Sequence, residues 1–254
     1  MAIIQYCSDL HLEFPENKAF LEQHPIQPVG DILVLAGDIV PFVALDKNQS
    51  FFDEISEKFK QVFWIPGNHE YYHFDIQKRT GTFCEEIRDN VFLVNNYVTQ
   101  TGQIKLIFST LWTDISENNQ WQILQHLSDF HVIKHGNGIF RPSYYNTLHR
   151  ESLEFIKKTV NSTDDSESMV VVTHHVPTFM NYPKKYLEND LNEAFAVELS
   201  DFIKSSTIDH WIFGHHHSRV PPFNIGKTQL LTNQLGYVKY GEHTGFSHTS
   251  TITL

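Results

Sequence analysis

Short apolar runs that end in small or polar residues recur along the chain: Ile3 to Cys7, Ile32 to Ala36, Val62 to Ile65, Ile104 to Phe108, Met169 to Thr173 and His210 to Phe213. Their length and their β-branched and aromatic content predict buried strands. Between them, helix-like spacing of apolar positions marks 50–60, 75–88, 143–160 and 189–204. The alternation predicts an α/β protein. No repeat, low-complexity tract or linker interrupts it, and Ser162 to Ser168 reads as a polar surface loop. Beyond Arg219 the pattern turns to short β segments broken by Gly226, Gly236 and Gly241, so the chain is expected to end in sheet.

Composition narrows this picture. A chain of 254 residues can bury a large core within one domain, so residues 1–254 are taken as a single unit. No run of 18 apolar residues is present, which excludes a membrane-spanning helix, and the start lacks a secretory leader pattern, so a cytoplasmic location is expected. Cys7 and Cys84 are too few for a disulfide framework and read as reduced structural thiols. The net charge of −11 argues against broad nucleic-acid binding and favours a small phosphate ester over long DNA or RNA as partner. An anionic substrate stays open, because bound cations reverse the local sign.

The chemistry lies in the residues just beyond each strand. Asp9 and His11 come after the first, Gly37-Asp38 after the second, Gly67-Asn68-His69-Glu70 after the third, His174-His175 after the strand at 169–173, and Gly214-His215-His216-His217 after the last. Ligands in open α/β sheets bind beyond the carboxyl ends of strands, so five groups converge on one edge. In extended chain, i and i+2 share a side, which pairs Asp9 with His11 and His215 with His217 and turns His216 away. Imidazole, carboxylate and amide oxygen without thiolate suit Mn, Fe, Zn or Ni. Asp9, His11, Asp38, Asn68, one of His174 and His175, His215 and His217 are too many ligands for one catalytic ion. Two ions sharing Asp38 would use them all, clamp a phosphate and activate water. His69, beside Asn68, is placed to give the leaving group its proton.

The ordered set Asp9-x-His11, Gly37-Asp38, Gly67-Asn68-His69-Glu70, His174 and Gly214-His215-x-His217 resembles the calcineurin-like metallophosphoesterase superfamily. The resemblance implies a four-layer α/β/β/α sandwich, two mixed β-sheets flanked by helices, with a binuclear centre at the strand ends. It implies one ion on Asp9, His11, Asp38 and His217, the other on Asp38, Asn68, His174 and His215, and His69 as the catalytic histidine. His174 stands directly after its strand, which leaves His175 to line the pocket or support a ligand. A non-catalytic scaffold on the same fold is the alternative, although every ligand position is filled.

Residues around these motifs have weaker signals. Tyr72 is a pocket candidate, and Glu70 is expected to accept a hydrogen bond and brace its loop. Tyr71 and His73 are undecided neighbours of the pocket. His69 to His73 also spells HExxH, which would need a helix from Asn68 to about Thr80 to hold zinc as a peptidase does. Leu111 to Arg141, long and aromatic, is expected to be an insertion beside the site that sets substrate choice. Arg141 and Arg219 read as solvated, and Asn233-x-x-Gly236-Tyr237 as a structural turn.

Overall fold

All six apolar runs form strands, and they read as unbroken hydrophobic stretches because both faces of each are covered. The computed structural model describes residues 2–163, 167–187 and 189–254; positions 164–166 of the expected polar loop lie outside them. The strands are β1 (Ile3–Cys7), β2 (Ile32–Ala36), β3 (Gln61–Ile65), β4 (Phe83–Arg88), β5 (Val91–Asn95), β6 (Tyr97–Thr101), β7 (Ile104–Ser109), β8 (Lys134–His135), β9 (Gly138–Ile139), β10 (Ser168–Thr173), β11 (His210–Ile212), β12 (Phe223–Ile225), β13 (Thr228–Leu231) and β14 (Thr251–Thr253). The helices are α1 (Pro15–Gln23), α2 (Gln49–Lys58), α3 (Glu117–His126), α4 (Asp129–Val132), α5 (Pro142–Asn161) and α6 (Ser200–Ser205).

Two six-stranded mixed sheets result, in the orders β14-β1-β2-β3-β5-β4 and β12-β13-β11-β10-β7-β6. Their central strands run parallel and their edge strands antiparallel. Alternation within β2 shows how one strand serves two cores. Val34 and Ala36 face the second sheet with Phe63, Phe108, Val170 and Val172. Leu33 and Leu35 face Phe52, Ile55 and Trp64 on the α2 side. The outer face of the second sheet buries Val171 and Trp211 against Ile156, Val160 and Ile203 from α5 and α6. The expected α/β/β/α order is therefore observed.

Two helical expectations are corrected. Residues 75–88 form one short 3-10 turn and then the edge strand β4, because Gly81 takes φ +70° and Phe83, Glu85 and Ile87 alternate inward along an antiparallel pairing with β5. Of 189–204, only Ser200 onward is α-helix. Val176 and Val197 instead bond backbone to backbone with Phe195 and Val176, which holds the segment as irregular chain. No described helix is long and apolar enough to cross a membrane.

Candidate metal centre

β1, β2 and β3 lie side by side and parallel, so the loops beyond them emerge together. Backbone bonds stitch these loops: Asp9 N–H to the Gly37 carbonyl at 2.9 Å, His11 N–H to that of Asp38 at 3.0 Å, and, from the second sheet, Gly214 N–H to that of His174 at 3.0 Å. The turns are tight. Asp9, His11, Asp38, His215 and His217 all have positive φ, between +45° and +82°, a costly conformation for residues with a Cβ that persists where the surroundings enforce it. Glycine permits the closest approach. A Cβ on Gly67 would overlap the Asp38 carboxylate and the His174 ring.

Two groups of candidate ligand atoms meet at Asp38, each with its atoms within 4.8 Å of one another: Asp9, His11, Asp38 and His217, and Asp38, His174 and His215; His11, Glu13 and His69 form a third group beside them. The Asn68 Oδ1 joins the second, 3.2 Å from His174 Nε2. Hydrogen bonds fix which atoms face inward. His174 Nδ1 donates to the Ala36 carbonyl at 3.0 Å, His217 Nδ1 to Glu242 at 2.9 Å and His11 Nδ1 to Glu13 at 3.2 Å, all onto oxygens that only accept. In a neutral imidazole the other nitrogen is then a bare lone pair. Two such nitrogens face each other, His11 Nε2 and His217 Nε2 at 2.9 Å, and a third, His174 Nε2, lies 3.0 Å from His215 Nδ1. Carboxylate oxygens of Asp9 and Asp38 stand 3.3 Å from His217 Nε2 and 3.4 Å from His174 Nε2. Acceptors crowded around shared points are satisfied only by protons or cations, so the donor set fits two metal ions.

The electrostatics agree. Burial opposes the charge on His217, but Asp9 and Glu242 raise it to about 10; burial likewise opposes His174, which Asp38 raises to about 9. Burial would push the Asp38 carboxyl up, yet His174, His69 and His11 hold it well below the usual range. Glu13 is held at about 2, against burial, by its bonds to His11 and His69. His69, 3.1 Å from Glu13, is raised despite burial by Asp38 and Glu13.

Calcineurin-like phosphoesterases match this chain over residues 4–219. The chain belongs to that family. Its members are hydrolases of phosphate-ester bonds that work with two metal ions. Similar proteins include an uncharacterized protein of Acanthamoeba polyphaga mimivirus, 33% identical, with 93% of this chain and 92% of the viral one covered. Among solved structures, the phosphopantetheinyl hydrolase of Mycobacterium tuberculosis superposes with a TM-score of 0.70 at 15% identity, covering 98% of this chain and 95% of its own, and so shares the fold.

Within this phosphoesterase the expected residues fare unevenly. Tyr72 lines a cavity of about 300 Å³ beside Asn68 and His69, with its ring stacked 4.0 Å from that of His69. His175 does not line it. It is fully buried behind His215, with ring centroids 4.4 Å apart, and is held by the Tyr145 hydroxyl and the Thr110 carbonyl. Successive residues beyond a strand point opposite ways, so His174 inward puts His175 outward. His216 turns to Gln234, whose amide donates to Nδ1 at 3.1 Å, although its ring still touches the cavity. Glu70 is the brace: it accepts from the backbone N–H of Gly67, Asp38 and Ile39 and from the Trp64 indole at 2.7–3.0 Å. The HExxH reading fails, because His69 to Tyr71 is a single 3-10 turn and His73 is exposed at φ +64°. Arg141 and Arg219 are exposed.

Several functional positions escape sequence reasoning. Glu13 continues the i, i+2 spacing of Asp9 and His11, a signal that was present. Asp129 and Glu242 carried none, since only the fold brings Asp129 to Asn68 and Tyr72, both at 2.9 Å, and Glu242 to His217. The Asn233 turn is structural as expected, bonding Tyr6 and Ser247, yet Tyr237 faces the cavity with its hydroxyl 3.4 Å from His69 Nε2.

Proposed function

We propose that the chain, read as one domain, hydrolyses a phosphate ester with one cation held by Asp9, His11, Asp38 and His217 and a second by Asp38, Asn68, His174 and His215. The observation that supports this most is the set of ring nitrogens facing one another around Asp9 and Asp38, with the opposite nitrogens of His11, His174 and His217 already donating elsewhere. Imidazole, carboxylate and amide oxygen suit Mn, Fe, Zn or Ni. When bound, such a pair supplies hydroxide near neutral pH and offsets phosphate charge.

The protein's own groups do the rest. Asp38 Oδ1 accepts the His69 backbone N–H at 2.9 Å, so the carboxylate shared between the two ligand groups also positions the acid. Glu13 engages Nδ1 of His69, which directs Nε2 toward Tyr237 and the cavity. As the bond from phosphorus to the leaving oxygen breaks, that Nε2–H passes its proton to the departing alkoxide. The cavity size favours a small substrate over long nucleic acid.

The test is metal analysis of the purified protein with hydrolysis of generic phosphomonoesters and diesters, with and without added Mn²⁺ or Ni²⁺. His69→Ala is expected to lower turnover by about 10²–10⁴-fold with both metals retained. Two bound metals with no ester cleaved would favour the scaffold alternative.

A further inference from the structure

Tyr237 reaches the site from the turn beyond β13, and the chain fixes it there. Gly236 takes φ +66°, and a Cβ on it would lie 2.8 Å from that of Glu242. The Gly236 N–H donates to the Asp9 carbonyl at 3.1 Å, and the Tyr237 N–H to Glu242 at 2.8 Å. Buried Asn17, from α1, accepts the Val238 N–H at 3.1 Å and donates to the Leu10 and Gly236 carbonyls at 3.0 and 2.7 Å. The turn is thereby tied, on both sides of Tyr237, to the loop that carries Asp9 and His11. The half-buried ring is clamped as well, its centroid 4.5 Å from that of His217, 4.8 Å from His11 and 5.3 Å from Phe14.

The hydroxyl on this fixed ring is uncommitted. Tyr72, by contrast, donates its own to Asp129 at 2.9 Å, and Tyr145 donates to the Ala194 carbonyl at 2.7 Å. Among the described residues the Tyr237 hydroxyl has one neighbour within hydrogen-bonding range, His69 Nε2 at 3.4 Å. In protonated His69 both ring nitrogens are donors, Nδ1 toward Glu13 at 3.1 Å and Nε2 toward Tyr237. The Tyr237 oxygen can accept from Nε2, so its own hydrogen is left for a third atom. A phenol with a pKa of about 10 keeps that hydrogen at neutral pH. Both groups line the cavity, 3.4 Å apart. Each donor reaches an oxygen at about 2.6–3.2 Å, so the two can converge on one oxygen between them.

We propose that Tyr237 is a second catalytic residue, whose hydroxyl donates a hydrogen bond to the leaving oxygen while His69 protonates it. This rests on the phosphoesterase reading above. As the P–O ester bond breaks, its electron pair stays with the leaving oxygen, and the His69 Nε2–H proton moves to that oxygen. Tyr237 keeps its own hydrogen throughout. Its O–H dipole, aimed in advance at the atom where negative charge develops, stabilises that charge until the proton arrives. The demand for such help rises with the basicity of the leaving group.

The experiment compares the full chain with Tyr237→Phe, which keeps the ring and removes only the hydroxyl, and with Tyr240→Phe, a change at an exposed neighbour, as control. Each protein is loaded with Mn²⁺, its metal content is measured, and kcat is taken for phenyl phosphate and p-nitrophenyl phosphate and for the methyl diesters of both. Tyr237→Phe is expected to lower kcat for the phenyl esters by about 10–100-fold. The p-nitrophenyl esters, whose leaving group is far less basic, are expected to lose about threefold or less. Metal content is expected to stay unchanged. In the metal-free proteins, ¹⁵N-histidine NMR is expected to show the His69 Nε2 resonance shifted by Tyr237→Phe and unmoved by Tyr240→Phe. The inference is overturned if both ester types fall equally or not at all, if Tyr237→Phe loses metal, or if the His69 resonance stays in place. Cleavage of no ester by the unaltered metal-loaded chain would instead sink the phosphoesterase reading itself, and this inference with it.

Discussion

Asp129 accepts the side-chain N–H of Asn68 at 2.9 Å, and that bond decides which end of the amide faces His174. With Nδ2 committed to Asp129, Oδ1 is the atom left for a cation. Asp129→Ala removes this constraint and is expected to weaken metal binding or activity by about 10–100-fold. Metal titration of the two proteins checks it, and equal affinities would show that Asn68 is oriented by something else.

Glu13 joins two histidines, at 3.2 Å from His11 and 3.1 Å from His69. Its charge raises the His69 pKa, so the protonated acid survives to higher pH. Glu13→Gln is expected to move the alkaline limb of the kcat profile to lower pH, because His69 then loses its proton earlier. An unmoved limb at unchanged metal content would contradict the pairing.

In the metal-free protein, His174 and His217 titrate at about 9 and about 10, so both hold a proton at pH 7. A cation must displace those protons. Metal binding is therefore expected to release protons at pH 7 and to tighten as pH rises through these values. Calorimetry in buffers of differing ionisation enthalpy measures the release; binding heats that do not depend on the buffer would refute it.

Glu70 gathers four N–H donors from two stretches of chain, the backbone of Asp38 and Ile39 beyond β2 and the Trp64 indole and Gly67 backbone at the end of β3. Glu70→Gln sets an amide N–H₂ against one of these donor clusters and is expected to cost about 1–3 kcal/mol of stability. Denaturant unfolding of the metal-free proteins separates this from any loss of metal.

The strand ends and the proposed ligands beyond them were legible because each buried strand is a continuous apolar run and each candidate group follows within a few residues of its end. Residues 75–88 misled because Phe83 and Ile87 also fit helical spacing, and only pairing with β5 decides between the two periods. The support around the site was mostly illegible for a different reason. Asp129 meets Asn68 across 61 positions and Glu242 meets His217 across 25, separations no local pattern encodes. His175 shows the same limit at short range, since which of two adjacent histidines faces the site depends on strand register.

The seven proposed ligands are divided between the sheets: Asp9, His11, Asp38 and Asn68 lie beyond strands of the first, while His174, His215 and His217 lie beyond strands of the second. Neither half can complete the centre alone. During synthesis, a chain grown past Asn68 holds four of the seven groups and must wait for His217 before the last is present. Metal loading would then act as a rivet set after assembly, and a chain whose sheets fail to dock would hold its ions weakly.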